Sequence, residues 1–170
     1  MVSIRRILEP EPSSLDGLAA LLRDAVHGGA SVGFLAPLAD SVARDYWSRV
    51  LDQLQDGLAL WVAEADGRIV GSVQLEFCRK ENGRHRAEVQ KLLVLTSHRG
   101  RCISSRMMDA VEGFARASGR SLLVLDTLSD SAAASVYRHL GWEYAGSIPS
   151  YAATPDGALH ATSYFYKQLS

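Results

Sequence analysis

The stretch Val89–Thr127, VQKLLVLTSHRGRCISSRMMDAVEGFARASGRSLLVLDT, decides the fold. It begins with an apolar run, Leu92–Leu95, that predicts a strand. A short basic turn with one glycine, Ser97–Arg101, follows, and apolar residues then recur at helical spacing from Ile103 to Phe114. Because a second apolar strand, Ser121–Asp126, comes directly afterwards, the stretch predicts a strand–turn–helix–strand unit.

The turn before this helix predicts an anion site. The first N–H groups of a helix lack intrahelical acceptors, and the positive end of the helix dipole points at the same spot. Such a place suits a phosphate or a pyrophosphate. The basic residues His98, Arg99 and Arg101 are explained by that anion. A second basic group, Arg79–Arg86, is explained equally well by a solvated hairpin.

Shorter patterns on both sides complete the predicted sheet. Asp66-Gly67 between two apolar runs is a strong hairpin signal. The predicted elements are a strand at Ser3–Leu8, helices at Ser14–Val26 and about Asp40–Gln55, strands at Ala59–Ala63, Ile69–Phe77 and Arg86–Leu95, and closing strands at Trp142–Ser150 and Leu159–Lys167.

The composition limits the classes of protein to which the chain can belong. Its 170 residues suit one domain, 1–170, with 47% hydrophobic and 22% charged residues. The net charge of −1 gives no electrostatic case for nucleic acid. Cys78 and Cys102 provide neither a disulfide framework nor metal-ligand spacing. Since the chain has no apolar signal core and no run long enough to span a membrane, we expect a cytoplasmic enzyme without a membrane partner.

Two motifs resemble those of the GNAT N-acetyltransferase superfamily. The loop from Arg99 to Ser104 resembles the family's acetyl-CoA pyrophosphate loop, Q/R-x-x-G-x-G/A, with Cys102 and Ser104 where the family prefers glycine or a small residue. Ala133–Trp142 resembles the closing pattern A-x-x-x-Y-x-x-x-G-F, with Tyr137 as its tyrosine. Within the superfamily the chain is similar to the tabtoxin resistance acetyltransferases, through the runs His27–Phe34, Arg86–Lys91, Arg99–Arg101, Leu125–Thr127 and Ala153–Gly157.

The resemblance implies a fold and a co-substrate. The fold is α/β, more closely α+β, with a mixed, mostly antiparallel central sheet, about four flanking helices and a splayed cofactor-binding crevice. Acetyl-CoA is the co-substrate, and no metal is involved. The residues implied in cofactor binding are Leu93, Val94 and Leu95, whose main chain pairs with the pantetheine arm, and Arg99, Gly100, Arg101, Cys102, Ile103, Ser104 and Ser105, whose N–H groups bind the pyrophosphate.

Cys102 and Ser104 raise a question of backbone geometry. A left-handed conformation costs a non-glycine residue about 1–2 kcal/mol. The two side chains therefore weaken cofactor binding if the local φ is positive, and cost little if it is negative, because the N–H donors remain.

Three residues are candidates for proton chemistry. By the resemblance, Glu88 and Asp126 hold the acceptor amine and help to remove its proton, and Tyr137 acts on the leaving thiolate. Asp126 ends its predicted strand, at the carboxyl edge where open α/β sheets bind ligands. Each residue also has a structural explanation: a solvated strand position for Glu88, a cap or turn for Asp126, and packing for Tyr137.

The glycine-rich segment His27–Phe34 is the candidate acceptor loop, and a flexible connection is the alternative. Its implied substrate-binding residues, beside Glu88 and Asp126, are His27, Gly28, Gly29 and Phe34.

These residues predict an enzyme that moves an acetyl group from acetyl-CoA to a small-molecule amine by direct attack in a ternary complex. A tabtoxin-like toxin is the leading acceptor. The alternatives are a degenerate acyl-CoA-binding sensor or interaction module, and an acetyltransferase for a polyamine, an aminoglycoside or a protein N-terminus. Whether the chain forms a homodimer is left open.

Overall fold

The computed structural model describes residues 1–54 and 56–170. In this part of the chain, seven strands and four α-helices are joined by short turns. The elements are β1 (Val2–Ile7), α1 (Leu15–His27), α2 (Asp40–Asp52), β2 (Leu58–Ala65), β3 (Arg68–Phe77), β4 (Arg86–Val94), α3 (Ile103–Ala117), β5 (Leu122–Leu128), α4 (Ala132–His139), β6 (Glu143–Ala153) and β7 (Leu159–Gln168).

The strands form one sheet in the order β1-β2-β3-β4-β5-β7-β6. Neighbouring strands are antiparallel except β4 and β5, which are parallel and are connected by the crossover helix α3. The strand–turn–helix–strand prediction is therefore confirmed, and so is the mixed, mostly antiparallel sheet with four helices.

Each face of the sheet carries its own apolar core. Leu60 and Val62 of β2 pack with α1 and α2, whereas the alternate residues Trp61 and Ala63 pack with α3. We call these the α1/α2 face and the α3/α4 face. The alternation along β2 is the period-2 pattern of a strand that is buried on both sides.

The predicted boundaries that were wrong include the end of the second helix and the end of β5. The second helix ends at Asp52, because the N–H groups of Gln53 and Leu54 bond three residues back and begin a turn. Gln55, the predicted end of that helix, lies outside the described residues. Asp126 lies inside β5 and not at its end, since β5 continues to Leu128 along β7.

The predicted hairpin at Asp66-Gly67 is confirmed. Both residues have positive φ, 50° and 73°, as a two-residue type I′ turn requires.

Candidate active site

A gap opens in the middle of the sheet between β4 and β5. The two strands pair at Arg86 with Leu122, Ala87 with Leu123 and Glu88 with Val124. Among the residues that the structure describes, no pairing between them continues beyond this point, although β4 runs on to Val94 and β5 to Leu128. One edge of β4 therefore faces an open crevice, as the predicted splayed sheet requires.

An extra residue in β4 lies beside this gap. Gln74 of β3 is opposite Gln90 and Ser72 is opposite Leu93, so Lys91 and Leu92 together oppose Val73. Lys91 has a φ of 50°, which L-residues rarely adopt. The arrangement is a β-bulge, which re-aims side chains at the site where it occurs.

Glu88 and Asp126 lie on the same face of the sheet, one on each side of the gap. Glu88 is paired with Val124, and Asp126 is two residues further along β5. Residues in register share a face, and so do alternate residues of one strand. Gln74 and Gln90 also share this face, and the Gln74 side chain bonds to Tyr46 of α2. The two carboxylates therefore lie on the α1/α2 face.

The surroundings raise the pKa of both carboxyl groups. For Glu88 the main cause is burial, a hydrogen bond from Gln90 opposes the rise, and the negative charges of Asp126 and Glu76 add to it. Asp126 is open to solvent at the mouth of the crevice, yet partial burial raises its pKa as well, against the positive charge of Lys91. A carboxylate with a raised pKa is a stronger base near neutral pH.

Lys91 is a site residue that the sequence interpretation missed. Its ammonium lies 5.5 Å from the centroid of the Tyr46 ring. Burial lowers the pKa of Lys91, while the charges of Asp126 and Glu88 oppose that shift, so all three charged groups share the crevice. Strict alternation from Ala87 and Val89 would place position 91 with them on the α3/α4 face. Because the bulge turns Lys91 to the α1/α2 face, alternation along the chain gave no signal for it.

Tyr46 and Phe34 form one wall of the crevice. The Tyr46 hydroxyl accepts a hydrogen bond from Gln74 Nε2 at 2.9 Å, and the Phe34 ring packs edge-on against Tyr46 at 5.4 Å. Phe34 is the residue of the predicted acceptor loop that the structure brings next to the crevice.

The other three predicted acceptor residues, His27, Gly28 and Gly29, lie at and just after the end of α1. His27 is the last residue of α1, and its Nε2 accepts a hydrogen bond from the Leu38 N–H at 3.1 Å. Gly28 follows as the helix C-cap, and Gly29 has a φ of 88°. These three residues shape the loop. Its end is held near the β6–β7 turn by the Ala36 N–H, which donates to the Pro155 carbonyl at 2.9 Å.

The opposite wall comes from β7 and β6. Tyr164 is in register with Asp126, and its ring contacts that of Tyr151 edge-on at 5.8 Å. Tyr151 is brought there by a distortion of β6, where residues 149–151 stand opposite Ala161 alone. Neither tyrosine was singled out from the sequence, because the distortion depends on pairing with β7.

Tyr137 lies on the other face of the sheet. It is a buried residue of α4, and its ring is 6.0 Å from Trp142 and 6.1 Å from Phe165. Burial raises the pKa of its hydroxyl well above the ordinary value, and the charge of Asp126 adds to the rise. Since Asp126 acts on it electrostatically, Tyr137 is near the gap but on the side away from Glu88.

The predicted anion loop lies at the end of β4. Gly100 and Cys102 have positive φ, 74° and 55°. Among the described residues other than its two chain neighbours, none has an atom within 4 Å of the position that a Cβ of Gly100 would take, so the space beside the loop is open. Arg106 N–H donates to Cys102 O at 3.2 Å and forms the first helical bond. The N–H groups of Ile103, Ser104 and Ser105 therefore have no intrahelical acceptor.

This loop geometry fits a pyrophosphate. Arg99 and Arg101 are both exposed and turn back toward β4, with Arg99 Nε 3.4 Å from Val94 O and an Arg101 amine 3.5 Å from Ser97 O. Leu93 and Val94 pair with β3 on one side of β4, and the Leu95 N–H donates to Val70 O.

Cys102 precedes the helix and has positive φ. Of the two backbone geometries considered for it, this is the one that is unfavourable for a residue with a side chain. Ser104 is in the first turn of α3 without positive φ, and its Cβ carries no such cost.

In the described ranges, no group of three or more His, Cys, Asp or Glu side chains could hold a metal ion. Nor does any helix there have the length and apolar character needed to cross a membrane.

Comparisons with known proteins agree with this geometry. A family model for GNAT acetyltransferases matches residues 22–142. An N-acetyltransferase from the hisH–hisA intergenic region of Azospirillum brasilense is 34% identical over 127 residues, 74% of each chain. A Staphylococcus aureus N-acetyltransferase structure superposes with a TM-score of 0.83 at 19% identity, covering 100% of this chain and 99% of that one.

A second solved structure, the phosphinothricin acetyltransferase of Sinorhizobium meliloti, contains acetyl-CoA. It has a TM-score of 0.81 at 17% identity and covers 99% of this chain and 89% of that one. The chain belongs to the GNAT acetyltransferase family. It is an acetyl-CoA-dependent N-acetyltransferase, as the sequence motifs predicted.

Proposed function

We propose that the enzyme acetylates the primary amine of a small molecule, which attacks acetyl-CoA directly in a ternary complex. One observation carries this proposal. Two carboxyl groups with raised pKa, Glu88 and Asp126, lie beside the gap on one face of the sheet. A buried tyrosine, Tyr137, lies on the other face. A base and an acid are thus separated by the space in which a thioester fits.

Cofactor binding is assigned to the end of β4 and the loop after it. The N–H groups of Ile103, Ser104 and Ser105 and the turn Arg99–Cys102 bind the pyrophosphate. The free edge at the end of β4, Leu93 and Val94, together with Leu95 directly after it, binds the pantetheine arm by main-chain hydrogen bonds. Acetyl-CoA, when bound, supplies the acetyl group as a thioester.

Glu88 and Asp126 bind the acceptor amine and take its proton. An ammonium must lose a proton before it can attack a carbonyl carbon, and a neighbouring base assists this loss. Glu88 is the preferred base because it is the more buried of the two. Asp126, open to solvent, holds the amine and passes the proton to water.

Tyr137 protonates or stabilises the leaving thiolate. Its raised pKa keeps the hydroxyl protonated at neutral pH, so that it can donate to a developing negative charge. The packing of its ring against Trp142 and Phe165 fixes where the hydroxyl points.

The leading acceptor is an amino-acid-like or dipeptide-like molecule of the tabtoxin type. The support is the similarity of the runs quoted above to the tabtoxin resistance acetyltransferases, together with a crevice bounded by Phe34, Tyr46, Tyr151 and Tyr164, which suits a small molecule. Residues 1–170 are taken as a single N-acetyltransferase domain acting in the cytoplasm.

An acceptor panel tests the function. Purified enzyme and acetyl-CoA are incubated with amino acids, dipeptides, polyamines and aminoglycosides, and released thiol is measured. We expect turnover with at least one class, and its loss in a Glu88→Gln/Asp126→Asn double variant. Calorimetric binding of acetyl-CoA without turnover on any acceptor would support the sensor alternative instead.

A further inference from the structure

Lys91 has an unusual backbone that the structure holds firmly. It is the positive-φ residue of the β4 bulge, and a left-handed conformation is unfavourable for a residue with a side chain. The Ser72 hydroxyl donates to the Lys91 carbonyl at 3.1 Å and fixes the peptide. The side chain is thereby directed to the α1/α2 face, onto the Tyr46 ring.

The ammonium of Lys91 has no hydrogen-bond or ion-pair partner among the residues that the structure describes. Glu88 and Asp126 are close enough to affect it electrostatically but form no ion pair with it. The three charged groups of the crevice are therefore near one another, but Lys91 forms no ion pair with either carboxylate.

The other two lysines of the chain are different. Lys167 forms an ion pair with Glu112 at 2.8 Å and donates to Leu140 O at 2.8 Å. Lys80 is exposed to solvent. Lys91 is half-buried and its ammonium has no acceptor among the described residues, so its position suits an anionic partner from outside the chain.

We propose that Lys91 binds an anionic group of the acceptor, most simply a carboxylate, while Glu88 and Asp126 bind the amine. This inference rests on the proposed function and names its substrate class: a small zwitterion that carries an anionic group beside the reactive amine. Polyamines and aminoglycosides, which are polycations, offer no anionic group to Lys91 and bring further positive charge near it, so they are disfavoured.

Matched acceptor pairs test this inference. L-amino acids are compared with the amines that they yield on decarboxylation: phenylalanine with 2-phenylethylamine, histidine with histamine, and lysine with cadaverine. Lys91→Met keeps the length of the side chain and removes its charge. We expect it to lower kcat/KM for the amino acids by about 10- to 100-fold, the range for a hydrogen bond to a charged group. It should leave 2-phenylethylamine and histamine nearly unchanged and should raise kcat/KM for cadaverine, whose second ammonium no longer meets a positive charge. Lys91→Arg should restore much of the selectivity.

One control variant separates this effect from a change in overall charge. Lys80→Met removes the same charge from the surface and should leave both series unchanged. Equal losses on amino acids and amines in Lys91→Met would mean that Lys91 acts on the shape of the crevice, and would overturn the inference.

A second measurement does not require turnover. The protein is labelled with sulfo-NHS acetate, with and without each acceptor, and modification of Lys91 is compared with that of Lys80 by mass spectrometry. We expect amino acids to protect Lys91 more than their decarboxylated amines do. Protection without turnover on any acceptor would keep the anion site and reject the transferase function. If no amino acid protected Lys91 and no selectivity appeared in turnover, the anion site would be rejected.

Discussion

The carboxylate of Asp24 on α1 accepts two hydrogen bonds from Thr96, one from its N–H at 2.8 Å and one from its hydroxyl at 3.0 Å. Thr96 begins the short 3₁₀ turn Thr96–His98 that leads into the anion loop. A helix on one face of the sheet thus fixes the start of the segment assigned to the pyrophosphate.

We therefore expect Asp24→Ala to weaken acetyl-CoA binding several-fold, because the loop loses the two hydrogen bonds that join Thr96 to α1. Thr96→Ala, which keeps the N–H, should give a smaller effect. Calorimetric titration measures both. Asp109→Ala, which removes an exposed carboxylate of α3, is the control. Unchanged affinity in Asp24→Ala would show that the loop is positioned without α1.

Replacing Cys102 with glycine should stabilise the protein. Its φ of 55° is a conformation that glycine adopts without strain, so relief of about 1 kcal/mol is expected. For a chain of this length that corresponds to a rise in Tm of about 2–4 °C. Ser104→Gly should instead cost about 0.5–1 kcal/mol, because Ser104 is helical. Thermal unfolding distinguishes the two, and a lower Tm for Cys102→Gly would contradict the strain.

Cys102 also reports on the occupancy of the loop. Its side chain is exposed, whereas Cys78 is half-buried and its Sγ lies 3.4 Å from an Arg86 amine. We expect iodoacetamide to modify Cys102 first, and saturating acetyl-CoA to slow that reaction, because a pyrophosphate on the loop covers the thiol. Mass spectrometry follows both cysteines in one sample. Equal labelling of Cys102 with and without acetyl-CoA would argue against the loop assignment.

Tyr137→Phe should lower kcat with little change in the Kd of acetyl-CoA. The phenylalanine ring preserves the contacts with Trp142 and Phe165, so that the change removes the hydroxyl alone. General acid–base groups typically contribute about 10²- to 10⁴-fold. Tyr144→Phe, at an exposed β6 tyrosine that also touches Phe165, is the matched control. If turnover were equal in the two variants, Tyr137 would be a packing residue.

The dependence of kcat/KM on pH should reveal the acidic pair. Because the pKa values of Glu88 and Asp126 are raised, the groups stay protonated to higher pH than free carboxyls and cannot accept a proton there. Activity should thus rise with pH through a transition above the ordinary glutamate value of about 4.3. Glu88→Gln should reduce kcat/KM and move this transition, whereas Glu81→Gln, on the surface, should not.

Features that depend on neighbouring residues in the sequence, such as strands, helices and turns, were predicted well. Apolar periodicity located β4, α3 and β5, and the basic turn before α3 indicated the anion loop, because these features need no knowledge of distant partners. A spaced motif drew attention to Tyr137, and its catalytic role stays a prediction. The family resemblance named Glu88 and Asp126, and the pairing of Glu88 with Val124 brings their strands side by side.

The features that were missed depend on pairing between strands. The bulge at Lys91 is defined by its register with β3, and the position of Tyr151 by the mismatch with β7. The hydrogen bond from the Leu38 N–H to the His27 ring, eleven residues apart in the sequence, also depends on the folded chain. A single sequence does not show directly which distant residues contact each other.

The short pairing of β4 with β5 has a consequence for how the protein resists unfolding. Three residue pairs form the backbone seam between the β1–β4 and β5–β7 portions of the sheet. Such portions can open as separate cooperative units, each with its own opening free energy. A ligand lying along the seam would join them, and at 100 times its Kd it would add about 2.7 kcal/mol to the stability of the whole. Amide hydrogen exchange on both sides of the seam should then slow together, so that the co-substrate acts as a structural member of the sheet as well as a reactant.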